Sequence, residues 1–342
     1  MTTTDMSMTI DALMAHDRGI LAADESHPTI SRRFSRLAIE STAESRRHYR
    51  QLLLTTPGIG RYIGGVILFD ETLRQRADDG RRFVDILVES GIVPGIKVDA
   101  GSTPLANAPD ERITDGLDGL RQRLEEYKSL GARFAKWRAV IAIGDGRPSG
   151  YCLDTNADAL ARYAALCQEV GLVPIVEPEV VMDGTHSLER DSTVTEAALV
   201  RVFAALRAQG VVLEHLLLKP NMVLPGADSP QRPSSRDVAE ATVRCLRRAV
   251  PAAVPGIVFL SGGQEPEVAT ARLNAMNSMG GLPWPLGFSF ARALQDPALE
   301  AWRGEASNVI AAQRAFHRRA RANSAARAGE YTPDMERAAC DL

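Results

Sequence analysis

Lysine is scarce in this 342-residue chain: of 40 basic residues only Lys97, Lys128, Lys136 and Lys219 are lysines, and the other 36 are arginines. Ordinary surface charge is met by arginine. A position that keeps lysine is therefore a candidate for chemistry a guanidinium cannot perform, the loss of a proton from a compact amine. Cysteine is scarce as well. Cys152, Cys167, Cys245 and Cys340 stand far apart, which leaves no metal-ligand spacing and suits reduced thiols in a reducing compartment. The six histidines, His16, His27, His48, His186, His215 and His317, are scattered without the spacing of a zinc site, so no metal is expected. No apolar run approaches the roughly 18 residues of a membrane span. The start, MTTTDMSMTIDALMAHD, lacks the basic-then-apolar order of a leader. A net charge of −3 provides no basic field for nucleic acid or an anionic membrane. These absences point to a cytoplasmic protein without a nucleic-acid or membrane partner.

What is present is a large apolar fraction, 45% of residues, enough to bury a substantial core. No low-complexity linker or charge block interrupts the chain, which favours one domain over residues 1–342, with an Ala/Arg-rich tail from about 325 to 342 expected to be mobile. Short apolar runs recur at 19–25, 64–70, 94–99, 132–141, 173–180, 215–221, 256–263 and 285–291. Between them lie amphipathic stretches such as STAESRRHYRQLLLTT, NADALARYAALCQEVG and SRDVAEATVRCLRRAV. Eight near-continuous apolar runs alternating with helices predict a parallel (β/α)8 TIM barrel, whose strands are covered on both faces. A doubly wound open sheet is the alternative.

Such barrels build their sites at the C-terminal ends of the strands, and the polar residues gather there. Asp24, Glu25 and Ser26 end the first run, Asp70 and Glu71 the second, Lys97 and Asp99 the third, Lys136 and Arg138 the fourth. Glu177 and Glu179 end the fifth, Lys219 the sixth, Ser261 with Gly262 and Gly263 the seventh, Ser289 and Arg292 the eighth. Glu177 and Glu179 are two apart and share a face, as do Lys136 and Arg138. Each carboxylate can meet a cation, an arrangement that separates pKa values for acid–base work; a rim salt-bridge cluster would explain those four alone. Lys219 closes the run HLLLKPN. Snorkelling to the surface is the plain reading of a lysine at a strand end, whereas desolvation of an amine favours its neutral, nucleophilic form. LSGGQ at 260–264 reads as a glycine turn that can hold a phosphate or as an ordinary tight turn, and Arg292 favours the phosphate.

The motifs GILAADES, GGVILFDETL, GIKVD, FAKWR, VPIVEPE, LLKPNM, FLSGGQ and FS-x-x-RALQ occur in this order. Together they closely resemble class I fructose-bisphosphate aldolase from about residue 10 to about 333. The resemblance implies a (β/α)8 barrel, a homotetramer, and metal-free, cofactor-free cleavage of fructose 1,6-bisphosphate through a lysine Schiff base. It implies Lys219 as the Schiff-base lysine, Glu177 as acid and base, and Glu179 as a holder of nearby cations. Lys136 is implied as the charge beside the reactive amine, Arg138 as a neighbour of substrate, and Asp24 as the contact to the hydroxyl that loses its proton. Ser261, Gly262, Gly263 and Arg292 are implied for one phosphate, and Lys97 and Ser26, with Thr29 and Arg33 in the same set, for the other. Three departures stand out. His27-Pro28-Thr29 replaces small residues and a serine. Phe290 stands where many relatives carry tyrosine, which removes a hydroxyl expected near the site. The ending ERAACDL lacks a terminal tyrosine. A transaldolase-like enzyme would not need the full phosphate set, and a non-catalytic scaffold would be free to lose Lys219 or Glu177, so sugar phosphates are the expected partners.

Overall fold

The eight apolar runs form eight parallel strands that close on themselves. In the computed structural model, which describes residues 3–337, they are β1 (Gly19–Ala23), β2 (Ile63–Leu68), β3 (Val93–Lys97) and β4 (Phe134–Ile141), followed by β5 (Val173–Val180), β6 (Leu217–Leu218), β7 (Ile257–Phe259) and β8 (Leu286–Phe290). Each strand pairs in parallel with the next, and β8 returns to β1 through Ile20↔Ser289 and Leu21↔Phe290. The expected (β/α)8 barrel is what the chain adopts. An open sheet is excluded because this pairing leaves the barrel no edge.

Helices occupy the amphipathic stretches, and their starts are set by local chemistry. Thr42 opens Ala43–Leu54 with a capping box to Ser45, and Ser234 opens Ser235–Ala249 with the same device to Asp237. Ser149 and Ser187 accept from backbone amides at the starts of Gly150–Val170 and Leu188–Ala208. Each cap satisfies a donor that the first helical turn leaves unpaired.

Alternation along the strands separates two apolar regions. Ile20, Ala22, Ile67, Phe134, Val173, Ile175, Leu217 and Val258 fill the barrel interior, while their neighbours pack against the helices. Met6, Ile10 and Leu13, at helical spacing on the first helix Thr3–Leu13, join that interior cluster. The N-terminal segment therefore packs into the barrel, a role its sequence did not announce. The sequence also gave no notice of an antiparallel hairpin, Ser102–Leu105 with Ala108–Thr114, inserted after β3. Its strands are short and polar, so apolar periodicity carries no signal there.

Part of the segment expected to form a mobile tail is packed. The last long helix runs Val309–Ala328 with Ala326 and Arg327 buried, Tyr331 is nearly buried, and Glu336 pairs with the buried Arg319. Residues 338–342, where most of the ERAACDL ending falls, lie outside the described residues.

Glycine at two interior positions makes room for Phe134. A Cβ on Gly95 would stand 2.2 Å from the Phe134 ring, and one on Gly65 would meet Leu13 at 2.3 Å and that ring at 3.3 Å. A rigid, fully buried aromatic cannot yield that distance. Gly95→Ala is expected to destabilise the fold by about 1–3 kcal/mol through overpacking, read as a lower urea midpoint; an unchanged midpoint would contradict this account of the interior.

Candidate active site

The alternation that fills the lower barrel with apolar side chains continues upward into charge. Above Phe134 come Lys136 and Arg138 on β4; above Val173 and Ile175 come Glu177 and Glu179 on β5; above Leu217 comes Lys219; above Ile20 and Ala22 comes Asp24. Period two places these side chains at the C-terminal mouth of the same interior.

Four of them form one buried string. Lys219 Nζ lies 3.1 Å from Glu177 Oε1, Lys136 Nζ lies 3.2 Å from Glu177 Oε2, and Lys136 Nζ lies 2.7 Å from Asp24 Oδ2. All four side chains are at most about a tenth exposed. Burial alone would push the Asp24 carboxyl up, but Lys136 and then Lys219 outweigh it and hold its pKa at about 2. Burial likewise opposes charge on Lys136, yet Asp24 and Glu177 raise its pKa well above the ordinary lysine value. Asp24 and Lys136 thus stabilise one another's charge out of water, with Glu177 and Lys219 beside them.

Cations flank the string. Arg138 pairs with Glu179, and Lys97 Nζ donates to the Asp99 carboxylate and, at 2.8 Å, to the Asp99 carbonyl. Asp99, which also accepts from the Arg138 and Gly101 amides, thereby fixes Lys97. Across the barrel, Gly262 and Gly263 follow Ser261 with φ of 60° and 88°, values that favour glycine. The guanidinium of exposed Arg292 lies over Gly263, 3.2 Å from where a Cβ would sit. In the order of eight strands β3 and β7 stand opposite each other, so the Lys97 side and the Ser261–Arg292 side face one another over Lys219.

The chain matches the family described as class I fructose-bisphosphate aldolase over residues 5–341. It is 55% identical over 327 residues to a protein of Xanthomonas campestris pv. campestris named probable fructose-bisphosphate aldolase class 1, covering 95% of this chain and 98% of that one. A cytosolic fructose-bisphosphate aldolase of Arabidopsis thaliana is 52% identical over 320 residues, 93% of this chain and 81% of the relative. A solved fructose-bisphosphate aldolase of Plasmodium falciparum, in complex with TRAP and a small-molecule inhibitor, superposes with a TM-score of 0.95 at 47% identity, covering 96% of this chain and 95% of that one. This chain belongs to the class I fructose-bisphosphate aldolases. It is accordingly an enzyme of the aldehyde-lyase group, with the function its family carries.

Arg33 is buried and bonded to Glu25, to Gln295 Oε1 at 3.2 Å and to Asp296 Oδ1 at 2.7 Å, with its Nε left unpartnered. Glu25 also pairs with Arg50 at 2.7 Å. Glu25 follows inward-facing Asp24 and by parity points to the helices, where it meets Arg33. Asp70 and Glu71 likewise start the helix Asp70–Arg74 and pair outward with Arg74 and Arg46. Ser26 and Thr29 remain close, Oγ to Oγ1 at 3.2 Å, in the first turn of the helix His27–Ser35. Pro28 sits in that turn, where its missing N–H costs little. Phe290 is fully buried on the outer face of β8 with its ring centroid 5.7 Å from that of Phe288. Asn221, two residues past Lys219, was given no role from the sequence; an amide directly after a strand-end proline was the available signal.

Because Asp24 is depressed from 3.8 to about 2, its contribution to stability is full above about pH 4 and is lost as pH falls through 2. The shift corresponds to about 2 kcal/mol, roughly half of it lost by pH 3. Asp24→Asn is expected to flatten the fall in urea midpoint between pH 5 and pH 3 relative to the parent. An identical slope in both proteins would show that Asp24 is not the group so held.

Proposed function

We propose that this chain cleaves fructose 1,6-bisphosphate reversibly into dihydroxyacetone phosphate and glyceraldehyde 3-phosphate through an imine on Lys219. The observation that carries the reading is the buried string Lys219–Glu177–Lys136–Asp24. In this reading Lys219 Nζ first gives a proton to Glu177, and the free amine attacks the C2 carbonyl of the open-chain ketose, whose oxygen takes up a proton to give a carbinolamine. Glu177, in contact with that nitrogen, carries protons between nitrogen and the departing hydroxyl, and water leaves to give the iminium. Asp24 accepts from the C4 hydroxyl. As that oxygen gives up its proton, the C3–C4 bond breaks, the aldehyde departs and the bonding pair flows into the iminium, leaving an enamine. Lys136 offsets negative charge developing near C4. The enamine then takes a proton at C3, and water releases the ketone and the free amine.

A bisphosphate needs a cation site at each end. We assign the Ser261–Gly263 turn with Arg292 to one phosphate, and Lys97 with Ser26 and Thr29 to the other, with Arg138 and Glu179 beside the substrate. Arg33 belongs to the same set, its guanidinium held by Glu25 and Asp296. The electron sink is the iminium, so the reaction as proposed needs neither metal nor cofactor. Among the described residues the group able to gather three metal-ligating atoms is Glu44, His48 and Asp78. That group is exposed, and Arg47 pairs with both of its carboxylates. Among those residues no helix is long and apolar enough to cross a membrane. We propose, as the family resemblance implies, a cytoplasmic homotetramer acting on sugar phosphates.

Incubation with dihydroxyacetone phosphate and borohydride should label the peptide containing Lys219. Lys219→Arg keeps the charge but supplies no free amine, and is expected to lose both labelling and turnover. Substantial turnover by that variant would rule out the imine. Prior treatment with EDTA should leave activity unchanged; a loss restored by added divalent metal would point to different chemistry.

A further inference from the structure

We propose that Asn221 is a positioning residue for Lys219, holding the strand that carries the amine against the strand that carries Glu177 through a buried chain of hydrogen bonds. The inference rests on the reading of Lys219 and Glu177 given above.

The need for such a device follows from the backbone. Strand β6 is two residues long, and Lys219 lies just beyond it, held to β5 by its own N–H donating to Val176 O at 2.8 Å. Pro220 follows and has no N–H to continue the ladder. Strand β5 nevertheless runs on to Val180, whose buried amide would be left without a partner. Asn221 supplies it: Val180 N donates to Asn221 Oδ1 at 3.0 Å. Clamps therefore stand on either side of the reacting pair, one at Lys219 itself and one between Asn221 and Val180.

Behind Asn221 the chain continues through groups the proposed mechanism does not use. Asn221 Nδ2 donates to Met222 O at 3.1 Å and to Thr195 Oγ1 at 3.2 Å, and Thr195 Oγ1 donates to Asp191 Oδ1 at 3.1 Å. The orientation of the amide is thus fixed by a donor on one side and two acceptors on the other. Asp191 Oδ2 lies 3.6 Å from His186 Nε2. Asn221, Thr195 and Asp191 are at most 4% exposed. His186 belongs to the loop after β5, and the segment after β6 is bound to that loop by Gly226 N to His186 O, Ala227 N to Met182 O and Asp228 N to Gly184 O at 2.8, 2.6 and 2.9 Å. A Cβ on Gly226 would fall 2.1 Å from Gly184 O, so glycine is what permits the approach. Asn221 sits where this assembly meets the strands. Its effect on Lys219 is through the backbone, since its amide groups are spent on Val180, Met222 and Thr195.

The test uses full-length protein and compares Asn221→Ala and Thr195→Val with the parent, with Leu246→Ala as a control in the core of the remote helix Ser235–Ala249. Two quantities are measured on folded enzyme: the rate of borohydride labelling at Lys219 with dihydroxyacetone phosphate, and the dissociation constant of hexitol bisphosphate, which has no carbonyl and probes only the phosphate ends. Loss of alignment is expected to slow labelling by about tenfold to a hundredfold in Asn221→Ala and by about threefold or more in Thr195→Val. Hexitol bisphosphate binding should stay within about twofold in both, and Leu246→Ala should be labelled at the parent rate despite its lower melting temperature. Labelling at the parent rate in folded Asn221→Ala overturns the proposal, as does equal slowing in Leu246→Ala. If Asn221→Ala fails to fold, Thr195→Val alone decides by the same criterion. Failure of the parent itself to be labelled would instead overturn the assignment of Lys219.

Discussion

The buried string Lys219–Glu177–Lys136–Asp24 is the constraint on which the rest of the site depends. Each of these charges out of water would be costly alone, and removing one partner of a buried pair typically costs about 3–5 kcal/mol because the other is left uncompensated. Glu177 and Lys136 lie on β5 and β4, and Lys219 and Asp24 directly follow β6 and β1. Their pairing therefore holds only while those strands keep register, and register requires the barrel to close. Closure in turn depends on what fills the interior below: Phe134 seated over Gly95 and Gly65, with Met6, Ile10 and Leu13 packed into the same cluster.

The same string explains why the mouth is built asymmetrically. Its own charges are paired with one another, and further cations stand at the rim. Arg292 over the Gly262–Gly263 turn and Lys97 steadied by Asp99 stand on opposed strands, β7–β8 and β3. A substrate with an anion at each end would be drawn taut between them, with its middle over Lys219. Glycine at 262 and 263 serves this geometry twice, by taking up positive φ and by letting the guanidinium lie against the backbone.

Much of this was legible in the residues. The near absence of lysine singled out Lys97, Lys136 and Lys219, and all three lie at the mouth. Parity along FAKWR, VPIVEPE and HLLLKP carried each row from apolar to charged side chains in the right direction. The same parity rule, applied more strictly, would have turned Glu25 and Phe290 outward, because Asp24 and Ser289 face in. The partners of Arg33 were beyond its reach, because Asp296 lies 263 positions away in sequence and only the fold places it beside the guanidinium. Residues 325–337 posed a similar difficulty: an Ala/Arg-rich composition looks solvated, yet Arg327 is buried and Glu336 pairs with Arg319.

What the sequence by itself determined was local and periodic: where strands and helices alternate, which residues share a face, and which chemical groups stand at strand ends. Those properties follow from backbone geometry over a few residues. Only the tertiary structure decided which charges meet, because β1 and β8, some 270 residues apart, are brought side by side by barrel closure alone. It also decided that Asn221 reaches Val180 and Thr195, and that the first helix packs among the interior residues. Partner choice among buried polar groups is set by distances of a few tenths of an ångström across strands remote in sequence, and no local pattern encodes those distances.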